Sequence, residues 1–391
     1  MKFDVVQLES TGIDVIDGDR GKNYPHQNEL LNTGFCLFLS AKNVTKSGFN
    51  FSETQFISQR KDTLLNNGKL KRGDIVITTR GTVGNVALYS PQIFYDNVRI
   101  NSGMLIIRCT NNISNQYLYQ VLRSEWFQKQ IMAVQSGSAQ PQLPKSHFLK
   151  MYIPLPSLPI QEKIASILQL IDDKVMTNNA INNNLEQQAQ AIFKSWFIDF
   201  EPFSNRKPSE WSVSTLGKVS IMGAGGDKPQ NVSPIKTDLY EYPIYSNGLS
   251  NEGLYGFTDK PKISEESVTV SARGTIGFVC LRHIPYVPIV RLVTLIPKPE
   301  IISAKYLYLW LKQLHITGTG TTQQQLTVPD FQKTEILVPS QEIVTLFTAT
   351  VEPIFEKIWF NQNENEKLSS LRDTLLPKLM TGELDVSDTE I

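Results

Sequence analysis

The chain has 391 residues, 40% of them hydrophobic and 19% charged, which is ordinary for a water-soluble protein and enough to bury two or three separate cores. Its 38 basic and 38 acidic side chains cancel, so net charge gives no argument for a polyanionic partner, and no apolar run approaches the ~20 residues that span a bilayer. Cys36, Cys109 and Cys280 are odd in number and far apart, which argues against a disulfide framework or a cysteine metal site and reads as buried thiols.

The opening MKFDVVQLES has no basic segment leading into an apolar one, so no secretory signal is visible and a cytoplasmic location is expected. Next comes DGDRGKNYP at 17–25. A strand-like run, DIVITT at 74–79, leads into RGTVG at 80–84, followed by a second apolar run at 103–107 and a helix-like NQYLYQVL at 115–122. A small polar stretch, SGSAQPQL at 136–143, precedes the extended IPLPSLP, the pair Gln161-Glu162 and a long helix. The same order then recurs. SVTVSA at 267–272 leads into RGTIG at 273–277, an apolar run at 292–296, the helix-like AKYLYLWL at 304–311, the polar GTGTTQQQL at 318–326, ILVPS, Gln341-Glu342 and a second long helix. The shared frame carries unlike inserts: Leu8 to Arg80 is 72 residues, Leu216 to Arg273 only 57. Two copies reading different targets would look like this, and so would drift after a duplication.

Counted by segment, the charge separates. Residues 1–155 hold 17 basic against 11 acidic groups, 156–200 hold 3 against 5, 201–340 hold 14 against 12, and 341–391 hold 4 against 10. Basic surfaces for a polyanion on the globular pieces explain this pattern. Solvated helix faces beside slightly basic domains explain it as well.

Within the first long helix, Ile164, Ile171, Asn178, Leu185 and Ile192 form one seven-residue row, and Leu168, Val175, Asn182 and Ala189 another. At a constant offset of 183 the second helix repeats them as Phe347, Ile354, Asn361, Leu368, Leu375 and Val351, Ile358, Asn365. Such spacing predicts coiled-coil packing, against the alternative of helices packed each on its own domain. A buried Asn fixes register because only a matched partner satisfies its amide. Antiparallel helices whose partners total 543 put Asn178 against Asn365 and Asn182 against Asn361, and also give Val175–Leu368, Leu168–Leu375, Leu185–Ile358, Ala189–Ile354, Ile192–Val351 and Trp196–Phe347. One pair fails, Ile171 with Arg372, and Pro353 should kink the second helix or mark an irregular start. The seam is about 42 Å long at ~1.5 Å per residue, against about 34 Å for a turn of duplex, so it is expected to act as a ruler between two reading domains.

No catalytic constellation emerges. There is no phosphate loop; MGAGGDKPQ at 222–230 lacks the Lys-Ser/Thr that would hold phosphates and reads as a turn. No amino-methyltransferase segment is present, Pro329-Asp330 has no nuclease Glu-x-Lys after it, and Asp172-Asp173-Lys174 reads as a solvated helix face. His26, His147, His283 and His315 lie in separate contexts without metal-ligand spacing. Candidate DNA contacts are Lys42, the turn residues Arg80, Thr82, Arg273 and Thr275, and the polar-stretch residues Ser136, Ser138, Gln140, Gln142, Thr319, Thr321, Gln323 and Gln325. Arg presents forked donors to phosphate or guanine and Gln can pair bidentately with adenine. Tight turns with an exposed Arg, and plain surface loops, are the structural alternatives.

Across nearly its whole length the chain resembles the specificity subunit of type I restriction-modification enzymes. DGDRGKNYP, the two RGT[V/I]G strands, the Pro…Gln-Glu helix starts and NQNENEKLSSLRDTLLPKLMTGEL at 361–384 carry the resemblance. It implies an α+β chain with internal pseudo-twofold symmetry: target recognition domains at 1–155 and 201–340, and conserved helical regions at 156–200 and 341–391 forming an antiparallel coiled coil. It further implies a non-catalytic subunit that reads a bipartite, asymmetric double-stranded DNA site with an unread spacer. Two modification subunits carrying S-adenosylmethionine would dock on it and methylate adenine, and restriction/translocase subunits would bring ATP and Mg. The second half lacks a recognisable DGDRGK opening. A self-contained methyltransferase or nuclease, and a coiled-coil scaffold without DNA binding, are the alternatives.

Overall fold

A computed structural model of the protein describes residues 3–134, 141–318 and 325–387. The chain divides into two compact units, residues 1–177 with 363–391, and residues 178–362. Each unit takes part of both long helices, so residues 155, 200 and 340 mark changes of secondary structure inside units.

The first unit is built on a four-stranded antiparallel sheet of β1 (Asp14–Asp17), β2 (Ile75–Thr78), β3 (Val86–Leu88) and β4 (Met104–Arg108), in the order β1-β4-β2-β3. All four residues of β2 are buried, which is why its sequence is an unbroken β-branched run instead of an alternating one. Two helices cover the sheet, α1 (Asn115–Arg123) and α2 (Glu125–Val134), followed by the long α3 (Leu158–Phe197). A smaller sheet has Cys36–Leu39 at its centre, antiparallel to Phe56–Ile57 and parallel to Val98–Ile100.

The second unit repeats this plan. Strands β5 (Ser220–Ala224), β6 (Ser267–Val270), β7 (Val279–Arg282) and β8 (Val293–Pro297) are ordered β5-β8-β6-β7, and α4 (Ala304–Gln313) and α5 (Gln341–Thr381) follow. Its smaller sheet again has a central strand, Tyr242–Tyr245, antiparallel to one neighbour, Leu254–Thr258, and parallel to the other, Val287–Pro288. The inserts that differ in sequence and length therefore share a topology. Ser114 and Ser303 cap α1 and α4 by accepting from Tyr117 N and Tyr306 N. The hydroxyls of the same tyrosines, buried in the core, donate to Pro154 O at 2.9 Å and Leu337 O at 2.7 Å. Desolvation raises both phenol pKa values.

The helical register is visible within each unit. In the second, Asn361 Nδ2 donates to Asn182 Oδ1 at 2.8 Å and Asn182 Nδ2 to Ile358 O at 3.3 Å, while the Trp196 and Phe347 rings stand 5.7 Å apart. Leu185, Ala189, Ile192, Val351, Ile354 and Ile358 join the same apolar cluster. In the first, Leu168 and Leu375 share a cluster, and Lys174 pairs with Glu364 at 3.3 Å. The partner numbers run in opposite directions, as in an antiparallel pair. Asn178 is buried in the second unit and Asn365 belongs to the first. Helix α5 runs unbroken from Gln341 to Thr381, so Pro353 lies within it and does not mark an irregular start. The proline ring removes one backbone donor from the helix, which is flanked there by the buried Val351 and Phe355.

The remaining mismatch at Arg372 is resolved by Asp172, which corrects the reading of Asp172 as solvated. Asp172 is largely buried and accepts from Arg372 Nη1 at 3.1 Å, Arg123 Nη1 at 2.8 Å and Gln120 Nε2 at 2.8 Å. Ile171 beside it packs inward, 9% exposed. The three thiols are withdrawn from solvent, Cys36 and Cys280 fully and Cys109 in part, and burial pushes each up to about 12.

Replacing Asn361 alone by Leu strands the Asn182 Oδ1 acceptor and should lower stability by about 1–3 kcal/mol, whereas replacing both by Leu should be close to neutral or stabilising. A double-mutant cycle on urea midpoints reads the coupling. Additive losses would rule out the amide pair as the register device.

Candidate nucleic-acid interface

The repeated Arg-Gly-Thr turns join β2 to β3 and β6 to β7, and both adopt the same backbone. Gly81 and Gly84 have φ of 74° and 93°; Gly274 and Gly277 have 68° and 84°. These left-handed positions explain why glycine stands there twice in each turn. Gly84 N donates to Thr78 O and Gly277 N to Ser271 O, both at 2.9 Å. The hydrogen bonds close a tight loop that leaves Arg80, Thr82, Arg273 and Thr275 exposed.

The end of each polar stretch returns to its turn. Leu143 N donates to Thr79 O, Leu326 N donates to Ala272 O, and both distances are 3.0 Å. Arg80 and Gln142 form an isolated antiparallel bridge. Arg273 Nη2 donates to Gln325 Oε1 at 3.0 Å. The structure thus brings together Arg80 with Gln142 and Arg273 with Gln325, pairs 62 and 52 residues apart in sequence. Ser136, Ser138, Gln140, Thr319, Thr321 and Gln323 lie outside the described residues. Lys42 sits on a short helical turn beside the first loop: a Cβ on Gly81 would stand 3.7 Å from Ala41 Cβ. Its ammonium is exposed and only loosely paired with Glu53, at 3.4 Å.

Supports for these turns escape sequence reasoning. Gln128 Nε2 on α2 donates to Gly84 O at 2.9 Å; in the second unit Asn247 accepts from Ala272 N at 2.7 Å and donates to Val290 O at 2.6 Å. Only the Ser-Asn-Gly turn at 246–248 hints at the latter. Asp19 accepts from Gly21 N and Asn66 N, both at 2.7 Å, so the DGDRG motif is a backbone clamp. Burial opposes its charge, but those bonds and Arg99 hold its carboxyl below the usual range.

Segment charge is also refined. Arg99 is buried on Asp62, Arg108 is bidentate to Asp74, Arg282 lies on Glu252 and against the Tyr245 ring, and Lys305 sits between Glu266 and Glu352. These cations are paired within the fold, whereas Arg80 and Arg273 at the turns are exposed. His283 stacks on Trp359 with centroids 4.1 Å apart, and burial, Lys305 and Arg282 push it down to about 4. It is a neutral packing residue near pH 7. Among the described residues no cluster of His, Cys, Asp and Glu could hold a metal ion, and no helix is long and apolar enough to cross a membrane.

A family model described as the type I restriction modification DNA specificity domain matches residues 10–187 and again 208–370. The chain is 27% identical, over 81% of its length and 79% of the relative's, to the type I restriction enzyme MjaIX specificity subunit of Methanocaldococcus jannaschii. It is also 27% identical to the HindI specificity subunit of Haemophilus influenzae, over 94% and 98%. Its fold resembles the crystal structure of a type I restriction-modification S subunit from M. genitalium, with TM-score 0.56 and 17% identity over 97% and 96% of the two chains.

Proposed function

The chain belongs to the type I restriction-modification DNA specificity family, and on that premise we propose that it reads a bipartite, asymmetric site in double-stranded DNA, one half per unit, with an unread spacer between. The observation that carries this reading is the duplicated Arg-Gly-Thr turn, each copy exposed and flanked by its own glutamine. Arginine and glutamine are the side chains that pair bidentately with guanine and adenine edges. The unlike inserts beside the two turns give each unit its own surface for a different half-site.

Catalysis belongs to partners in this reading. Two modification subunits bring S-adenosylmethionine and methylate adenine; restriction/translocase subunits join through the complex with ATP and Mg. Apolar side chains that helix pairing leaves uncovered support docking on α3 and α5: Leu170 and Met176 are each 63% exposed and Phe360 60%.

Methylome sequencing of a host with and without the chain tests the reading. Its removal should erase one bipartite adenine-methylated motif. In the complex, Arg80→Ala and Arg273→Ala should each weaken recognition of a different half-site by about 1–3 kcal/mol, roughly 5- to 150-fold. An unchanged methylome, or methyl transfer by the isolated chain, overturns it.

A further inference from the structure

The glycine cluster at 222–230 gains a place from sheet register. Asp17 stands opposite Leu105, which stands opposite Ile77; Ala224 stands opposite Val293, which stands opposite Val270. Ile77 and Val270 each lie three residues before the arginine of a turn. Gly18 and Gly225 are therefore counterparts, and Gly225-Gly226-Asp227-Lys228 occupies the position of the DGDRG motif, which the sequence left without a partner. The same backbone crossing imposes both glycines. A Cβ on Gly18 would lie 2.1 Å from Asn101 O, and one on Gly225 2.7–2.8 Å from the backbone of Ile289.

Beyond the crossing the units diverge. In the first, Asp19 is engaged by backbone N–H groups, and Arg20 is held by Asp17 at 3.2 Å and Ser102 O at 3.4 Å. Gly103 there corresponds to Arg291 in the second unit. Val290 and Arg291 have φ of 52° and 60°, a left-handed backbone that a β-branched residue rarely adopts. Hydrogen bonds from Val290 N to Gly226 O and Arg291 N to Gly225 O, at 2.9 and 2.8 Å, hold it there.

The result is a cleft of about 450 Å³ bordered by Lys228, Arg273 and Arg291, with Asp227 its one carboxylate and Tyr255 on its rim. The side chains of Lys228 and Arg291 are exposed and make no ion pair or hydrogen bond with another described residue. Arg273 gives one N–H to Gln325 and keeps the rest of its fork. Three cations against one carboxylate favour an anion there. Lysine and arginine offer donors only, and phosphate oxygens are acceptors only; a guanine edge is acceptor-only as well, so the two are separated by whether binding depends on sequence.

We propose that Lys228 and Arg291, beside Arg273, grip a DNA backbone phosphate, and that this grip belongs to the second unit because the register places glycines, Gly21 and Gly103, at the two positions in the first. The proposal rests on the reading of the chain as a DNA-recognition subunit. Contacts of this kind fix register and orientation without reading sequence.

Duplex binding by the full chain, measured across a salt series on a duplex bearing the methylated motif and on a scrambled one, tests it. Lys228→Gln with Arg291→Gln should weaken both complexes equally and lower the slope of log K against log salt by about two. Arg291→Gly, which installs the first unit's residue and suits the left-handed backbone, should lower it by about one. Arg20→Gln should lower it by less. An unchanged slope in variants that melt like the wild type overturns the grip, and so does a loss confined to the motif duplex, which would make these residues base readers. A wild-type chain that binds no duplex overturns the recognition reading, and the grip with it.

Discussion

Asp172→Ala is expected to cost the first unit about 3 kcal/mol, the scale for breaking a buried ion pair by removing one partner. The carboxylate takes three donors from two other elements, Gln120 and Arg123 of α1 and Arg372 of α5. The Asp172 side chain is 18% exposed and the guanidiniums 15% and 22%. Without it Arg123 loses its carboxylate and Arg372 keeps only Asp373, 2.9 Å from its Nη2. The exposed neighbour Asp173 is the control, and its replacement should stay within ±0.5 kcal/mol. The effect has a pH signature. Burial opposes ionisation of Asp172, but Arg123, Gln120 and Arg372 outweigh it and hold the carboxyl below the usual range. The folded pKa is therefore below the unfolded value of about 3.9. The contribution is fully present above that value and is lost as pH falls through the folded one. Urea midpoints of wild type and variant should differ near neutrality and converge in acid; a constant gap would show that packing, not charge, is lost.

Gly18→Ala and Gly225→Ala should each cost about 3 kcal/mol, at the top of the range for overpacking. The atom met in each case is backbone, and it cannot swing aside as a side chain would. Gly223, two residues before Gly225 and on β5 itself, has nothing within 4 Å of an added Cβ. Gly223→Ala should therefore stabilise by about 0.5 kcal/mol, since alanine loses less entropy in a strand. Thermal melts of the three variants separate close approach from general glycine sensitivity. Equal losses at Gly223 and Gly225 would count against the crossing.

Features that repeat with a fixed period were legible in the sequence. The register of α3 on α5 was, because the two Asn rows admit few alignments and Asn182–Asn361 is a local pairing rule. The turns were legible too, because each glycine satisfies a left-handed position within five residues. Partnerships closed only by tertiary contact were not. Asp172 looked solvated since the arginines that bury it come from α1 and α5. Gly225 looked like a turn since Ile289, which forbids it a side chain, is remote in the chain. The matching small sheets were hidden as well, because strands of two to five residues are too short to show a period.

The core of the first unit draws Leu376, Leu379, Met380 and Val386 from the segment that follows residue 362, packed with Ile164, Ala165 and Leu168 of α3. Its two pieces are separated by the whole of the second unit, which is continuous from 178 to 362. During synthesis on the ribosome the second unit can complete its core while the first still waits with an apolar helix face bare. The unit begun first is finished last, so a prematurely terminated chain exposes that face and can be recognised by chaperones and proteases before it reaches DNA.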